Sequence, residues 1–306
     1  MPFQKPSFVG LVTIGCCLLV CPGAVGAQEG KTTQLLDKIS WAAGPITGEL
    51  GRTADVGVPA NCRFTDADGA KLFLEATQNP SGGNELGVLL CQAANDRHWF
   101  AVFTFANSGF VRDDEKTSLD QNAVLKQIQR GTEAGNSERR RRGWEEIEVL
   151  GWERAPYYDT VTHNLTWATR LKGKDTPEST INHSVRLLGR RGVMHADLVA
   201  DQEGLAEAVA AFDSVLTNYT YVEGERYAEW RDGDKVAEYG LTALIAGGAG
   251  VAAAKLGLFG KAWKVILGLF IALKKLIIVA VVGAVAFLKR LFGKKESTST
   301  ATDGAA

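Results

Sequence analysis

The stretch "GWERAPYYDTVTHNLTWA", Gly151 to Ala168, places two tryptophans, two tyrosines and a proline within a short span. Its second half, continued as "NLTWATRL", alternates cleanly and puts Leu165, Trp167, Thr169 and Leu171 on one face. That period predicts a half-buried strand with Trp167 in the core. "EEIEVLGWER" enters the stretch as a second strand, with "APYYD" as the corner between them. Trp152, Tyr157 and Tyr158 then flank the corner, where aromatic rings can cover the end of a sheet. The same placement allows a groove in which Tyr158, Asp159, Arg186 and Arg190 hold an anion, a peptide or a protein partner.

Working outward, "TINHSVRLLGR" and "GVMHADLVA" read as a strand pair joined at "GRRG", and "EGLAEAVAAFDSVLTNY" as a helix. Upstream, Asp66 can cap a helix over "ADGAKLFLEATQ", ahead of the apolar strands "ELGVLLC" and "HWFAVFTFA". The second of these is apolar on both faces and predicts a central strand. "NSG" marks a turn. "SLDQNAVLKQIQRGTEAGNSERRRRG" then reads as a long amphipathic helix with Leu119, Val124, Leu125 and Ile128 inward. Two strand-then-helix blocks, linked by hairpins rather than crossovers, predict an α+β fold: an antiparallel sheet with packed helices.

The chain has 306 residues and a formal net charge of -1, so no global charge draws it to nucleic acid. Lys5, the apolar run Phe8 to Val20 and the small residues ending at Ala27 predict a signal peptide over 1–27 and an exported domain over 28–234. Cys62 and Cys91 remain after cleavage. In an oxidising compartment they form either one disulfide, worth about 3 kcal/mol, or two buried thiols.

From Leu241 to Lys295 there is no acidic residue, and 235–292 reads as a membrane region ahead of a polar tail over 293–306. Leu241 to Trp263 is long enough to span a bilayer, and its "GGAG" suits close helix–helix approach and a homo-oligomer. Val265 to Leu288 is greasier, but Lys274 and Lys275 interrupt it. Its large apolar residues contribute about -7 kcal/mol to insertion, and two central lysines cost about 5 to 7. Lys261, Lys264, Lys274, Lys275, Lys289 and Arg290 fall on one helix face, within an arc of about 160°. The expectation is one span over 241–263, then a basic amphipathic helix over 264–292 on anionic headgroups, with the tail in the cytoplasm.

Catalytic patterns are sparse. His98, His163, His183 and His195 lie in no nucleophile elbow and no HExxH helix. "RDDE" at Arg112 to Glu115 offers paired carboxylates, more economically helix-capping or solvated. The run Arg139 to Arg142 is bordered by Glu138, Glu145 and Glu146 and reads as a solvated helix end. No metal-ligand spacing, nucleotide loop or cofactor motif stands out, so neither a metal nor a cofactor is expected.

The series "GFVRDDE", "NSERRRRGW", "GWERAPYYD", "LTWA", "NHSVRLLGRRGV", "EGERYAEW" and "DKVAEYGL" resembles a bacterial family of predicted membrane-anchored proteins, domain of unknown function 2167. The resemblance runs from about Leu86 to Gly260 and implies a signal peptide, an exported domain and a C-terminal membrane segment. It implies no activity, and this chain departs from the family pattern at Cys62 and Cys91. The function expected is a non-enzymatic binding or scaffold domain in the periplasm, tethered to the inner membrane, with an envelope protein or anionic lipid as partner. Two alternatives stand: an envelope enzyme using Asp113, Asp114 or His183, and membrane remodelling by the basic C-terminal helix.

Overall fold

Strand 193–201 shows the design in miniature, because Met194, Ala196, Leu198 and Ala200 are buried while His195, Asp197 and Val199 between them are only half-buried. One face of the sheet is sealed and the other is partly wet. The computed structural model describes residues 22–93, 97–116 and 119–246. These belong to one compact unit; residues 1–21 of the predicted signal peptide (1–27) and the segment 247–306 lie outside the described residues, while 22–27 fall in a helix that runs on past the expected cleavage point at Ala27.

The elements run α1 (Pro22–Asp37), β1 (Ala42–Ala43), β2 (Ile46–Leu50), β3 (Ala54–Val58), β4 (Cys62–Asp66), α2 (Ala67–Ala76), β5 (Glu85–Gln92), β6 (His98–Ala106), α3 (Gln121–Arg142), β7 (Ile147–Asp159), β8 (Asn164–Gly173), β9 (Ser179–Leu188), β10 (Val193–Asp201), α4 (Leu205–Thr217), β11 (Tyr219–Tyr221) and α5 (Leu241–Ile245). Eight strands form one antiparallel sheet in the order β1-β4-β5-β6-β10-β9-β8-β7, and β11-β3-β2 form a second, smaller one. The antiparallel α+β architecture read from the hairpins is present. The small sheet is an addition, since "ITGEL" and "ADVGV" are short and interrupted by "GRT".

Local chemistry sets the helix ends. Asp66 accepts from the backbone N–H groups of Asp68 and Gly69, and Asp120 caps α3 through the N–H of Ala123. Gly143, at φ 69°, ends α3 in the left-handed region, where a side chain would be strained.

The sealed face carries one continuous core. Leu89, Trp99, Phe103, Met194 and Leu198 of the large sheet meet Val56 and Val58 of the small sheet and Phe212 of α4. Tyr221 locks this layer, its hydroxyl donating to the carbonyl of Leu187 at 2.7 Å and accepting from the N–H of Met194 at 3.0 Å. Cys62 and Cys91 stand opposite one another on β4 and β5 in the same core, and their sulfurs are bonded.

The other face carries two separate apolar clusters. At one end α2 covers β4 and β5, with Phe73, Leu74, Val88 and Val102 together. At the other, α3 and α5 bring Val124, Leu241, Leu244 and Ile245 onto Leu165, Trp167, Leu188 and Val193. Leu241–Ile245, expected as the first turn of a membrane span, is thus part of this core. Its side chains answer apolar residues of the sheet within the fold.

Two further expectations change. "APYYD" is not a corner: β7 continues through Asp159, and the turn is formed by Thr160 to His163. Bulges at Gly151 and around Arg154 interrupt the register of the strand instead, where a corner was expected at "APYYD". The arginine run is not merely solvated. Arg139 is buried, donating to the carbonyls of Glu145 and Gln78, while Arg142 pairs with Glu138 and Glu75 over the Trp144 ring. These bonds tie the end of α3 to the loop after α2.

Candidate functional site

Tyr158 and Asp159 close β7 and begin a corner of half-buried aromatic rings, of which Tyr158 and Tyr227 pack against the core beneath. Asp159 accepts from the backbone N–H groups of Val161 and Thr162, which shapes the turn and holds its carboxyl below the usual range. At the tip of that turn Val161 is 86% exposed. His163 sits at φ 56°, a left-handed conformation unusual for a residue other than glycine. The twist aims its ring inward, where Nδ1 meets the Tyr158 hydroxyl at 3.0 Å.

From His163 the rings continue. Tyr227 lies 4.5 Å from the imidazole, Phe110 stacks on Tyr227 at 4.5 Å, and Trp230 tilts against Phe110 at 5.3 Å. All five rings are half-buried. The Tyr227 hydroxyl donates to the carbonyl of Val111 at 3.2 Å. Burial, with Asp113 nearby, raises the pKa of both tyrosines, to about 12 for Tyr227, so both stay protonated at neutral pH. Among the described residues the indole N–H of Trp230 is buried without a partner.

Arg190 lies at the same end of the sheet, in the β9–β10 turn, and holds Asp234 through two bonds of 2.6 and 2.8 Å. This pairing lowers the Asp234 pKa to about 2. Arg191 pairs with Glu225 beside it. The guanidinium of Arg190 is thus committed to tying the Asp234 loop onto the sheet.

Arg186 lies elsewhere, on the half-wet face two strands in from Tyr158. Tyr158, Leu165, Arg186 and His195 oppose one another across β7, β8, β9 and β10. The Arg186 guanidinium rests 4.6 Å over the Trp167 ring and donates to Asp197 at 2.9 Å. Ser184 donates to the same Asp197 oxygen at 2.6 Å. Burial works to raise the Asp197 pKa, but Arg186 with its companions holds it below the ordinary value.

The expected surface of Tyr158, Asp159, Arg186 and Arg190 therefore divides. Tyr158, Asp159 and Arg190 stand at or beside the turns at one end of the sheet, whereas Arg186, in the same cross-strand row as Tyr158, lies two strands in and is engaged with Asp197. Lys261, Lys264, Lys274, Lys275, Lys289 and Arg290 lie outside the described residues. Asp113 and Asp114 precede α3 near Tyr227, whereas His183 points to the sealed face, edge-on to Phe212. The three residues named for acid–base chemistry do not share a pocket. Among the described residues no group of His, Cys, Asp and Glu has the arrangement of a metal site.

Sequence reading missed His163, Tyr227, Phe110 and Trp230 as a unit, because three separate loops bring them together. The repeated aromatics of "EGERYAEW" were the available signal.

No curated protein matches this chain. Two solved chains do. One is the solution structure of cyanobacterial PsbP (CyanoP) from Synechocystis sp. PCC 6803, at 12% identity and a TM-score of 0.35, covering 60% of this chain and 92% of that one. A likeness of that size carries no argument about function. Residues 43–285 match the family described as a protein of unknown function (DUF2167), and the chain belongs to that family.

Proposed function

We propose that this protein is an exported, membrane-tethered binding domain of the bacterial envelope whose partner surface is the aromatic corner. One observation carries the reading: five half-buried rings, from Tyr158 to Trp230, gather beside a turn that leaves Val161 almost fully in solvent. Aromatic side chains offer large contact area at low conformational cost, and they are enriched where partners dock. The corner is charge-compensated by pairs such as Arg190–Asp234, which suits a protein partner better than a bare phosphate.

Tethering rests on the sequence beyond Ala246, whose apolar and basic pattern suits a span followed by an interfacial helix on the cytoplasmic side. Because Leu241–Ile245 belongs to the domain core, that span would begin later than the hydropathy alone suggests. Among the described residues no helix is long and apolar enough to cross a membrane.

The test is affinity capture of the full chain from its native membranes in mild detergent, with proteins and lipids identified. A Val161→Asp variant, placed where the fold asks nothing of the side chain, is run in parallel. A stoichiometric companion lost with Val161→Asp supports the reading. A companion retained by the variant, or none from either sample, overturns it.

A further inference from the structure

Residues 222–240 cross the end of the large sheet, from Tyr221 in the sealed core to Leu241 in the cluster under α3. They supply Tyr227 and Trp230, the two rings packed on Phe110 in the aromatic corner. Tyr227 is also the ring against which His163 lies. Both ends of the segment are sunk, Tyr221 through its two core hydrogen bonds and Leu241 by complete burial. Between them no apolar side chain is buried, and Glu225 is the single buried residue. Tyr227, Ala237 and Tyr239 reach the cluster beneath only in part. Leu241, Leu244 and Ile245 show the contrast, since they fix α5 by burying their whole side chains. Little apolar area holds 222–240 down, which is the physical mark of a segment that opens by itself.

Ionic contacts hold it instead. Arg190 and Arg191, adjacent in the β9–β10 turn, grip Asp234 and Glu225. Three backbone bonds run beside them: the N–H of Arg190 to the carbonyl of Glu225, that of Phe110 to Lys235, and that of Ala237 to Phe110. The segment also closes its own turns. Glu229 accepts from the N–H groups of Gly224 and Arg226, and Asp234 from that of Arg231. Those local bonds remain available when the contacts to the sheet are broken, so the piece can lift and return with little reordering.

We propose that residues 222–240 form a strap that opens and closes as a unit, held shut by the Arg190–Asp234 pair, and that the aromatic corner exists only while the strap is closed. Opening takes Tyr227 and Trp230 away from Phe110 and His163, so the row of rings is lost while the sheet stays folded. The pair is bidentate, yet its side chains keep 17% and 19% of their surface in solvent, so salt weakens it. Arg190 is thus a positioning residue for the corner. The consequence for binding rests on the corner being the partner surface; the motion of the strap does not.

The test is hydrogen exchange of the full chain in mild detergent, read by mass spectrometry. The reporters are the amides of Phe110 and Ala237, which bond between strap and sheet, against the doubly paired amides of β10. The reporters should exchange at least about ten-fold faster than β10, and faster still at high salt. Arg190→Gln should quicken them about ten-fold more and leave β10 unchanged, with Arg190→Lys falling between. Reporters no faster than β10, or unmoved by Arg190→Gln, overturn the proposal. Equal quickening of β10 overturns it too, because Arg190 would then hold the whole domain. In affinity capture from native membranes, Arg190→Gln should also lose the companion that the unaltered chain retains. A companion kept at full yield separates strap from corner and overturns the link. No companion from either chain overturns the partner reading alone, and the exchange rates still decide the strap.

Discussion

The two faces of the eight-stranded sheet are built from the same strands and differ in every physical respect. Under the small sheet and α4, Met194, Ala196 and Leu198 alternate into one continuous, closed core. Under the helices, their neighbours His195 and Asp197 interrupt what would otherwise be a single apolar layer, leaving two clusters with a polar floor between. A fold seeking stability alone would fill that gap with valine and leucine, which bury without desolvation cost. The difference teaches that the sealed face carries most of the apolar burial, while the interrupted face gives part of its area to a charged pair.

Mutations on either side can break that contrast. The largest effect is expected from Phe212→Ala, which opens a cavity against Trp99 beneath α4. A loss of about 3–5 kcal/mol in denaturant unfolding is predicted; a loss under about 1 kcal/mol would deny this face its role. Next comes the same face's disulfide. Replacing Cys62 and Cys91 by serine frees a loop with a sequence separation of 29, and chain entropy puts the loss at about 3–4 kcal/mol.

On the interrupted face the expectation is different in kind. Arg186→Met leaves Asp197 unpaired and should cost about 2 kcal/mol, less than a fully buried pair because Asp197 is partly in solvent. Adding Asp197→Leu should restore most of that stability, since an apolar pair joins the two clusters. A double variant as unstable as the single one would mean that the Arg186–Asp197 pair is itself needed for stability.

Taken per pH unit, the smallest effect is the pH dependence. Burial, with Arg186 beside it, lowers the His195 pKa from 6.5 to about 3, so the folded state binds that proton more weakly than the unfolded state. Its contribution is fully favourable above pH 6.5 and is lost as pH falls toward 3, at up to about 1.4 kcal/mol per pH unit. His183, also lowered by burial, works in the same direction. His195→Gln should therefore reduce the acid slope of stability in that window without abolishing it. An unchanged slope would place His195 in solvent.

Much of this fold was legible. Alternation in "NLTWATRL" and "GVMHADLVA", the apolar run of "HWFAVFTFA" and the cap at Asp66 are local signals, and they locate β8, β10, β6 and the start of α2. What stayed hidden was non-local. Strand alternation shows that His195 and Asp197 share a face, but only the pairing of β9 with β10 puts Arg186 and Ser184 beside them. The bulges in β7 have no period to read, so the sequence puts the corner at Ala155 to Asp159 rather than at Thr160 to His163. Arg139 looked like any charge in a basic run until Gln78 supplied its carbonyl from a distant loop. The hydropathy of Leu241–Ile245 is equally satisfied by lipid or by Trp167 and Leu165, and composition does not distinguish them.

The contrast between the faces is tested most directly by native-state thiol labelling. Single cysteines at Val199 and at Ala200 are adjacent on β10 and point to opposite faces. In the folded full chain the Val199→Cys thiol should react readily with a small maleimide, and the Ala200→Cys thiol only at the rate of global unfolding. Equal protection of the two would contradict the account, because the face under the helices would then be as closed as the core behind it.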